Sequence, residues 1–327
     1  MANRAVHVFK LGDKHRKLSD VPNLTSEFKD PVAFPESALK IMDKEELNDL
    51  KFAHFKMFDD SELTEFLEIK TPEDSTIKFT FRTIELEYRR QKYWANDAKT
   101  ALKSRDEIYR GDNTNVGFVE VGKYLYVLVF NSNISDVQKI KRMFAVANER
   151  SEIEKIDADI FSWLFFNNDR NNKMISNNFK IAEMTGFSST IVQGVMADLV
   201  TAKSGAVENL SATKLEIALN HPFRSTDLCL KQVGSKNQVK FLFDEDFNIL
   251  LSTNETTMNE IFNINYQKYK KEHLVIAEGV YIFKYVIPKL IEIFNDGRTN
   301  LNKTMMEYRK DQALYLIERL KEANNIT

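Results

Sequence analysis

Short hydrophobic runs with strand character are the main pattern in the first 150 residues of the chain. The clearest runs are residues 6–9, 77–81 and 124–130, which are rich in aromatic and β-branched side chains, the residues enriched in strands. In residues 77–81 apolar and polar side chains also alternate, which places every second side chain on the same face of a strand. The last two runs are separated by turn-forming glycines at Gly111 and Gly122. We therefore predict antiparallel strands at these three positions.

Apolar residues in three other segments of this region recur at helical spacing. The segments are residues 44–59, 61–69 and 135–147. Strands that pair locally, together with helices of this length, indicate an α+β domain around an antiparallel sheet. We place this N-terminal domain at residues 1–150.

The second half of the chain combines strand patterns with longer helical ones. Residues 228–230 and 239–243 are predicted to form a hairpin around a turn at 234–237, and residues 247–251 a further strand. Helices are predicted after them over residues 256–272, 274–294 and 301–323. Asp296-Gly297 is the predicted cap of the second helix, because glycine readily adopts the left-handed conformation that ends helices.

These elements indicate a second α+β domain over residues 151–327, whose end, residues 256–323, is helical. Residues 179–200 within it resemble a helix-turn-helix. Ile181 and Ala182 are predicted to lie on its first helix and Gly186 in its turn. The second helix would begin with polar side chains suited to phosphate contact, namely Ser188, Ser189, Thr190 and Gln193.

This second predicted helix contains no cation, and base edges are usually read by Arg, Lys, Asn or Gln. If residues 179–200 bind DNA, we expect them to contact the phosphate backbone rather than the base sequence. The alternative is a pair of helices packed inside a larger domain, because a pattern this short also arises by chance.

Two segments carry local positive charge. Residues 82–110 and residues 172–240 each contain eight Lys or Arg residues against five Asp or Glu residues. In the first segment Tyr88, Tyr93 and Trp94 alternate with the cations, an arrangement that suits nucleic acid. The cations taken as DNA contacts are Arg89, Arg90, Lys92, Lys99, Lys180 and Lys203. The alternative for either segment is an exposed face of mixed charge.

The overall composition limits the kind of partner. The 327 residues carry a net charge of −2, so DNA contact has to be local. A single cysteine, Cys229, excludes an intramolecular disulfide and fits a reducing, cytoplasmic compartment. The first 17 residues lack the apolar core of a signal peptide, and residues 274–294 contain four charges. We expect no membrane insertion.

Catalysis has weaker support in the sequence. Glu68-Ile69-Lys70 has the Glu-x-Lys spacing of Mg²⁺-dependent nucleases, with Asp59 or Asp60 as the missing carboxylate. The five histidines are scattered, and there is no glycine-rich phosphate loop or nucleophile elbow. We predict that the protein is not an enzyme, and we assign no catalytic residue, metal or cofactor.

Residues 240–251, with Met258–Phe262 and Tyr266–Tyr269 after them, resemble the KwaB-type protein of the Kiwa anti-phage system. This likeness covers roughly the last 90 residues. Residues 124–126 and 136–140 are similar to the phage-exclusion protein RexA. Both resemblances imply a bacterial or phage-borne defence protein that binds duplex DNA as a dimer and has no known catalysis.

The sequence thus predicts a cytoplasmic antiviral defence protein that binds double-stranded DNA through phosphates, as a homodimer that uses residues 274–294. One alternative is the nuclease that uses Glu68 and Lys70. Another is a protein-interaction subunit that senses a phage or membrane-protein partner.

Overall fold

The structure is a computed structural model that describes residues 4–12, 14–58, 66–144, 155–193, 196–258 and 271–325. It has an α+β fold with a large antiparallel sheet content and a helical C-terminal region, as the sequence predicts. The domain boundary predicted at residue 150 lies outside the described residues.

The first half of the chain is mostly strand. Its strands are β1 (Arg4–Lys10), β2 (Glu27–Pro31), β3 (Phe52–Phe58), β4 (Leu67–Lys70), β5 (Thr76–Arg89), β6 (Tyr109–Val121) and β7 (Tyr124–Val129). Its helices are α1 (Glu36–Leu39), α2 (Lys44–Leu50), α3 (Arg105–Ile108) and α4 (Ile134–Met143). The three strands predicted in this region are confirmed as parts of β1, β5 and β7.

The second half contains both strands and long helices. In chain order they are α5 (Asp159–Arg170), β8 (Phe179–Gln193), β9 (Met196–Lys203), α6 (Ser211–Ala218), β10 (Phe223–Gln232), β11 (Gln238–Asp244), β12 (Ile249–Leu251), α7 (Lys271–Tyr281) and α8 (Ile287–Asn324). A π-helical segment, Ile282–Val286, joins α7 to α8.

Contacts divide the chain into two compact units. The N-terminal unit comprises His7–Leu67 and Lys78–Ser151. The C-terminal unit comprises Met1–Val6, Glu68–Ile77 and Glu152–Thr327. The segments at the start of the chain and around β4 thus belong to the C-terminal unit, although they precede residue 150.

The N-terminal unit is an antiparallel sheet with the strand order β2-β3-β5-β6-β7 and then the His7–Lys10 part of β1. Its core contains Phe55, Ile84, Phe118 and Val127, all fully buried. Helix α4 contributes its apolar side chains to the same core, which confirms the described part of the helix predicted at 135–147.

The helix predicted over residues 44–59 is only partly correct. Helix α2 begins at a capping box between Asp43 and Glu46 and ends at Leu50. The residues that follow form β3, where Ala53 and Phe55 are buried and their neighbours are not. A period of two, and not a helical period, therefore governs this segment. Of the helix predicted over 61–69, residues 61–65 lie outside the described residues, and Leu67–Lys70 is strand β4.

The C-terminal unit has its own antiparallel sheet. The order is Arg4–Val6 of β1, then β12-β11-β10-β8-β9. The hairpin predicted around residues 234–237 is confirmed by the pairing of β10 with β11. Helix α5 packs its aromatic side chains on one face of this sheet, with the ring of Phe165 centred 4.9 Å from that of Phe223.

The predicted helix-turn-helix over residues 179–200 is wrong. Strands β8 and β9 occupy this region and pair from Gly186–Lys203 to Gln193–Met196. Along β8, buried Phe179 and Ile181 flank exposed Lys180, so the period is two. Gly186 lies within the strand, where a Cβ atom would be 3.3 Å from the carbonyl oxygen of Ala202. The glycine thus permits close approach of a neighbouring strand and forms no turn.

The C-terminal residues form a helical run from 271 to 324. The run passes through Gly297, so the predicted cap there is wrong; Asn325 ends the helix with a φ of 51°. A glycine inside a helix costs about 1 kcal/mol, which burial of Phe294 and Met305 on either side offsets. Of the helix predicted over 256–272, Thr257 is instead in a β-bridge with Gln238, and residues 259–270 lie outside the described residues.

The helix predicted over residues 274–294 is confirmed, but its apolar side chains do not form a free dimer surface. Among them, Ile276, Val280, Ile282 and Leu290 are at most 1% exposed within this chain. No helix in the described parts of the chain combines the length and the apolar character that a membrane span requires.

Candidate nucleic-acid interface

Four lysines converge on an open groove at one end of the sheet in the C-terminal unit. We call it the lysine groove and define it by Lys173, Lys180, Lys231 and Lys236. The groove has a volume of about 890 Å³, and its lining also includes the turn residues Val233, Gly234 and Ser235. This volume is in the range of ligand sites, although the groove is open to solvent along its length.

Two of the lysines are positioned by the register of adjacent strands. Lys180 on β8 lies directly opposite Lys231 on β10. Both side chains are exposed. Side chains directly opposite in an antiparallel pair lie roughly 5 Å apart at their Cβ atoms. The two ammonium groups are thus held on the same sheet face by the strand backbones.

Lys173 comes from the loop that follows α5 and has a φ of 65°. Its carbonyl oxygen accepts a hydrogen bond of 2.7 Å from the backbone N–H of Ile181. The neighbouring Met174 forms a β-bridge with Lys180. The loop is therefore fastened to β8 at the position where Lys180 enters the groove.

Lys236 lies in the turn between β10 and β11, which is fixed by its own hydrogen bonds. The side-chain amide of Asn237, 3% exposed, donates to Oε1 of Gln232 at 3.2 Å. The backbone N–H of Asn237 donates to Oγ of Ser235 at 3.1 Å. Gly234 has a φ of 80°, a conformation that favours glycine. The turn therefore holds Lys236 at the mouth of the groove without using its side chain.

The groove carries positive charge that the protein does not neutralise. No Asp or Glu is among the described residues that line it. Within the described part of the chain, none of the four lysines has a carboxylate within salt-bridge distance. Like charges directly opposite each other on two strands are destabilising, so the Lys180–Lys231 pair has an energetic cost in the absence of an anion.

The neighbouring lysine on the same sheet shows the contrast. Lys240 is buried, and its Nζ lies 3.0 Å from Glu183 and 2.8 Å from Glu255. Burial lowers the pKa of Lys240, but its hydrogen bonds with Glu255 and Glu183 raise it, and the net shift is upward. The buried lysine of this sheet is thus paired with two carboxylates, whereas no carboxylate is among the described residues that line the lysine groove.

Three hydroxyl groups predicted to bind phosphate are engaged inside the protein. Oγ of Ser189 donates to the buried carboxylate of Glu216 at 2.6 Å. Oγ of Ser188 shares a 2.6 Å hydrogen bond with Ser225, and Thr190 accepts one from Arg224 at 3.0 Å.

These hydroxyls lie within strand β8 and not at a helix N-terminus, so they are not presented to a phosphate, contrary to the sequence-based prediction. Gln193 is the last residue of β8, and its side chain lies outside what the structure describes. Lys203 is exposed at the end of β9, opposite Gly186, and does not line the groove.

The other predicted cations belong to the N-terminal unit. Arg89 has a structural role, because it donates to the carbonyl of Ala33 and its guanidinium lies 4.6 Å from the ring centre of Phe34. Arg90, Lys92 and Lys99 follow β5 and are exposed. These three remain available for contact with a polyanion.

The aromatic side chains near these cations pack inside the unit. The ring of Tyr93 is centred 5.5 Å from that of Phe34 and 5.4 Å from that of Trp94. Lys139 lies 4.7 Å from the ring centre of Tyr88. These rings already have partners on the ring faces and edges that a base would need for stacking.

The residues of the nuclease hypothesis lie on β4, not on a helix. Glu68 and Lys70 are exposed and alternate with buried Leu67 and Ile69. Asp59 and Asp60, the candidate further ligands, lie outside the described residues. In the ranges that the structure does describe, no group of three or more His, Cys, Asp or Glu side chains is arranged to hold a metal ion.

Lys173, Lys231 and Lys236 are the residues that sequence reasoning did not select. They contribute to the charge of residues 172–240, and the pairing of β8 with β10 together with two loops brings them to one groove. The signal that identifies them is a lysine at the start of β8 and another at the end of β10, followed by a Gly-Ser-Lys-Asn turn.

Comparison with known proteins does not assign the chain to a family. The chain matches no protein-family model, and it matches no curated protein sequence.

Proposed function

We propose that the protein binds the phosphate backbone of double-stranded DNA through the lysine groove, without reading the base sequence. The observation that carries this proposal is the direct pair Lys180–Lys231 in a groove without a lining carboxylate. Lysine ammonium groups are common partners of DNA phosphates, and such contacts position a protein on DNA without specifying sequence. Neutralising the pair with phosphates would also remove the repulsion within it.

The chemistry of the lining supports phosphate contact over base readout. Base edges are usually read by Arg, Lys, Asn or Gln, and of these Arg, Asn and Gln present planar, paired donors or acceptors, whereas Lys is a point charge. Gln232 is the one such residue among the described groove residues, and its Oε1 already accepts from Asn237. Lysines are flexible point charges that adapt to any backbone position. Exposed Arg90, Lys92 and Lys99 of the N-terminal unit are further candidate phosphate contacts in this proposal.

The test is binding of the purified full-length chain to two unrelated duplexes of equal length, measured by fluorescence anisotropy over a series of salt concentrations. We expect similar affinities for the two duplexes and a steep loss of affinity with salt, because each phosphate contact releases condensed counterions. Absence of binding at low salt would contradict the proposal. A strong preference for one duplex would contradict its second part, that bases are not read.

The biological setting that we propose is defence against phage in the bacterial cytoplasm. The resemblance of residues 240–269 to KwaB-type proteins supports the role, and the lone, buried Cys229 supports a reducing compartment. Phage should form plaques less efficiently on cells that express the wild-type chain than on cells that express the Lys180→Ala/Lys231→Ala variant. Equal plaque formation on the two strains, at equal protein levels, would show that DNA binding through the groove is not required for defence.

A further inference from the structure

Helix α8 carries a second apolar stripe that its own chain leaves exposed. We call it the outer stripe and define it by Met306, Ala313, Leu314, Ile317 and Leu320. Met306 is 69% exposed, Leu314 49%, Ile317 50% and Leu320 62%. Single exposed apolar residues are common on protein surfaces, but Leu314, Ile317 and Leu320 cluster within two turns, with Met306 further along the same side of the helix beyond Lys310.

The outer stripe lies on a different side of α8 from the residues that pack within the C-terminal unit. Met305, Tyr308 and Gln312 are buried, and Nζ of Lys214 on α6 lies 3.1 Å from Oε1 of Gln312. At 3.6 residues per turn, the centre of the outer stripe lies about 120° around the helix from Gln312. The two faces are therefore independent, and one helix can pack against α6 and a partner at the same time.

The spacing of the outer stripe is that of a coiled-coil seam. From Met306, steps of four and three residues lead through Lys310 to Ala313, Ile317 and Leu320. Alternating steps of this kind keep one stripe of two helices in contact over several turns. The seam spans about four turns, and Leu314 and Leu316 lie beside it.

The charges next to this seam are complementary to a second copy of the same helix in the antiparallel direction. In that arrangement Ile317 meets the partner's Ala313. Glu307 then lies beside the partner's Lys321, and the same pair forms again at the other end of the interface. Leu314 meets the partner's Leu314 at the centre, on the two-fold axis. In a parallel arrangement neither Glu307 nor Lys321 would gain an opposite charge.

A groove beside the outer stripe extends the same surface. It has a volume of about 700 Å³ and is lined by Leu215 of α6 together with Leu316, Leu320 and Ala323 of α8. Leu215 is 46% exposed. The partner helix in the antiparallel arrangement would cover the edge of this groove, so the apolar area buried exceeds that of the seam alone.

We propose that the protein forms a homodimer through the outer stripe, in which the C-terminal halves of two α8 helices pair in antiparallel orientation. This inference concerns a different surface from the lysine groove and does not depend on DNA binding.

The first test is the molar mass of the full-length chain at micromolar concentration, measured by light scattering after size exclusion. We expect twice the monomer mass of 38.0 kDa for the wild type and the monomer mass for the Ile317→Glu/Leu320→Glu variant. The control is Ile134→Glu, which places a charge at a 55% exposed isoleucine of α4 and should remain dimeric. A monomeric wild type, or a dimer that survives Ile317→Glu/Leu320→Glu, would overturn the proposal.

The second test addresses orientation. In a Cys229→Ala background, Leu314→Cys should form a disulfide between two copies under mild oxidation, because the antiparallel pairing brings this position against itself. Glu318→Cys, on another side of α8, should not. In addition, Glu307→Lys should weaken the dimer and Glu307→Lys/Lys321→Glu should restore it. If the dimer forms but Leu314→Cys does not cross-link, or the exchanged pair does not restore it, the antiparallel arrangement is wrong.

Discussion

Lys180 and Lys231 form an unfavourable pair that the fold nevertheless maintains. Their register on β8 and β10 is set by the buried residues of both strands, so the two side chains leave the sheet at directly opposite positions on one face. Lys240 lies opposite Cys229, which is two residues from Lys231 on β10. The charge of Lys240 is neutralised by Glu183 and Glu255. We propose the exposed pair without a lining carboxylate, Lys180 and Lys231, as the binding surface.

Also at the residue scale, the Ser189→Ala substitution distinguishes a structural role of this hydroxyl from a role in DNA binding. Replacing Ser189 with Ala removes the hydroxyl that donates to buried Glu216. We expect a loss of about 1–3 kcal/mol in the free energy of unfolding, because the carboxylate loses a donor. DNA affinity should not change.

Urea denaturation and DNA titration of the same preparation measure both quantities. Thr201→Ala on β9, at an exposed site next to Ser188, is the control and should change stability by less than about 0.5 kcal/mol. A Ser189→Ala variant of normal stability and weakened DNA affinity would instead support a phosphate contact at this residue.

Glu278 of α7 predicts how stability depends on pH. Burial raises the pKa of Glu278 to about 7, partly opposed by a 2.8 Å hydrogen bond from the Thr256 hydroxyl. Below the ordinary value of 4.5 this carboxyl is protonated in the folded and the unfolded chain. As the pH rises from there toward 7, the unfolded chain releases the proton first, so the folded state loses stability.

The loss attributable to this group is about 3 kcal/mol once the pH exceeds the raised pKa. Glu278→Gln stays neutral at every pH and lacks this contribution. Urea unfolding at pH 4.5 and pH 8 should show the wild type losing about 3 kcal/mol more than the variant. The same change in both proteins would show that Glu278 ionises normally.

At the scale of elements, the sequence predicts the strands and helices whose residue pattern is strong. Strands β1, β5 and β7 are predictable because aromatic and β-branched residues are concentrated in them, and the C-terminal helices because their apolar residues recur at helical spacing. Residues 179–193 were not, because the β-bulges in the pairing of β8 with β10 interrupt the alternation and create a partly helical spacing. Ala182 and Gly186 complete the false pattern, although Gly186 instead permits the close approach of a neighbouring strand.

The same distinction applies to the candidate site. Lys180 was predictable as part of a basic segment, whereas its partners Lys173, Lys231 and Lys236 depend on strand register and on two loops. A charge count along the sequence identifies where cations are abundant. It does not show which of them lack a carboxylate in space: Lys240 is buried against Glu183 and Glu255, whereas Lys231 is exposed and has none within salt-bridge distance among the described residues.

Helix α5 provides the prediction at this scale. Its Phe165 is fully buried, with ring centres 4.9 Å from Phe223 and 5.7 Å from Phe187. Phe165→Ala should reduce the free energy of unfolding by about 3–5 kcal/mol, because a large cavity opens between helix and sheet. Phe66→Ala, at a side chain 46% exposed, is the matched control and should cost far less. Equal effects in denaturant titrations would mean that α5 does not anchor this core.

At the scale of the whole molecule, a net charge of −2 leaves little general attraction for a polyanion. DNA affinity must then come from a few local contacts, and removing two of them should have a large effect. Removing this like-charged pair should not destabilise the fold. Weaker binding by the Lys180→Ala/Lys231→Ala variant can therefore be assigned to the groove itself.

The most direct measurement is the slope of the logarithm of DNA affinity against the logarithm of salt concentration, for the wild type and for Lys180→Ala/Lys231→Ala. Each lost phosphate contact should reduce the magnitude of the slope by about 0.9, so the double variant should show a change close to two. Lys123→Ala/Lys303→Ala, which removes two exposed lysines outside the groove, should keep the wild-type slope. Equal slopes for the wild type and the groove variant would contradict the assignment of the lysine groove as the DNA-binding surface.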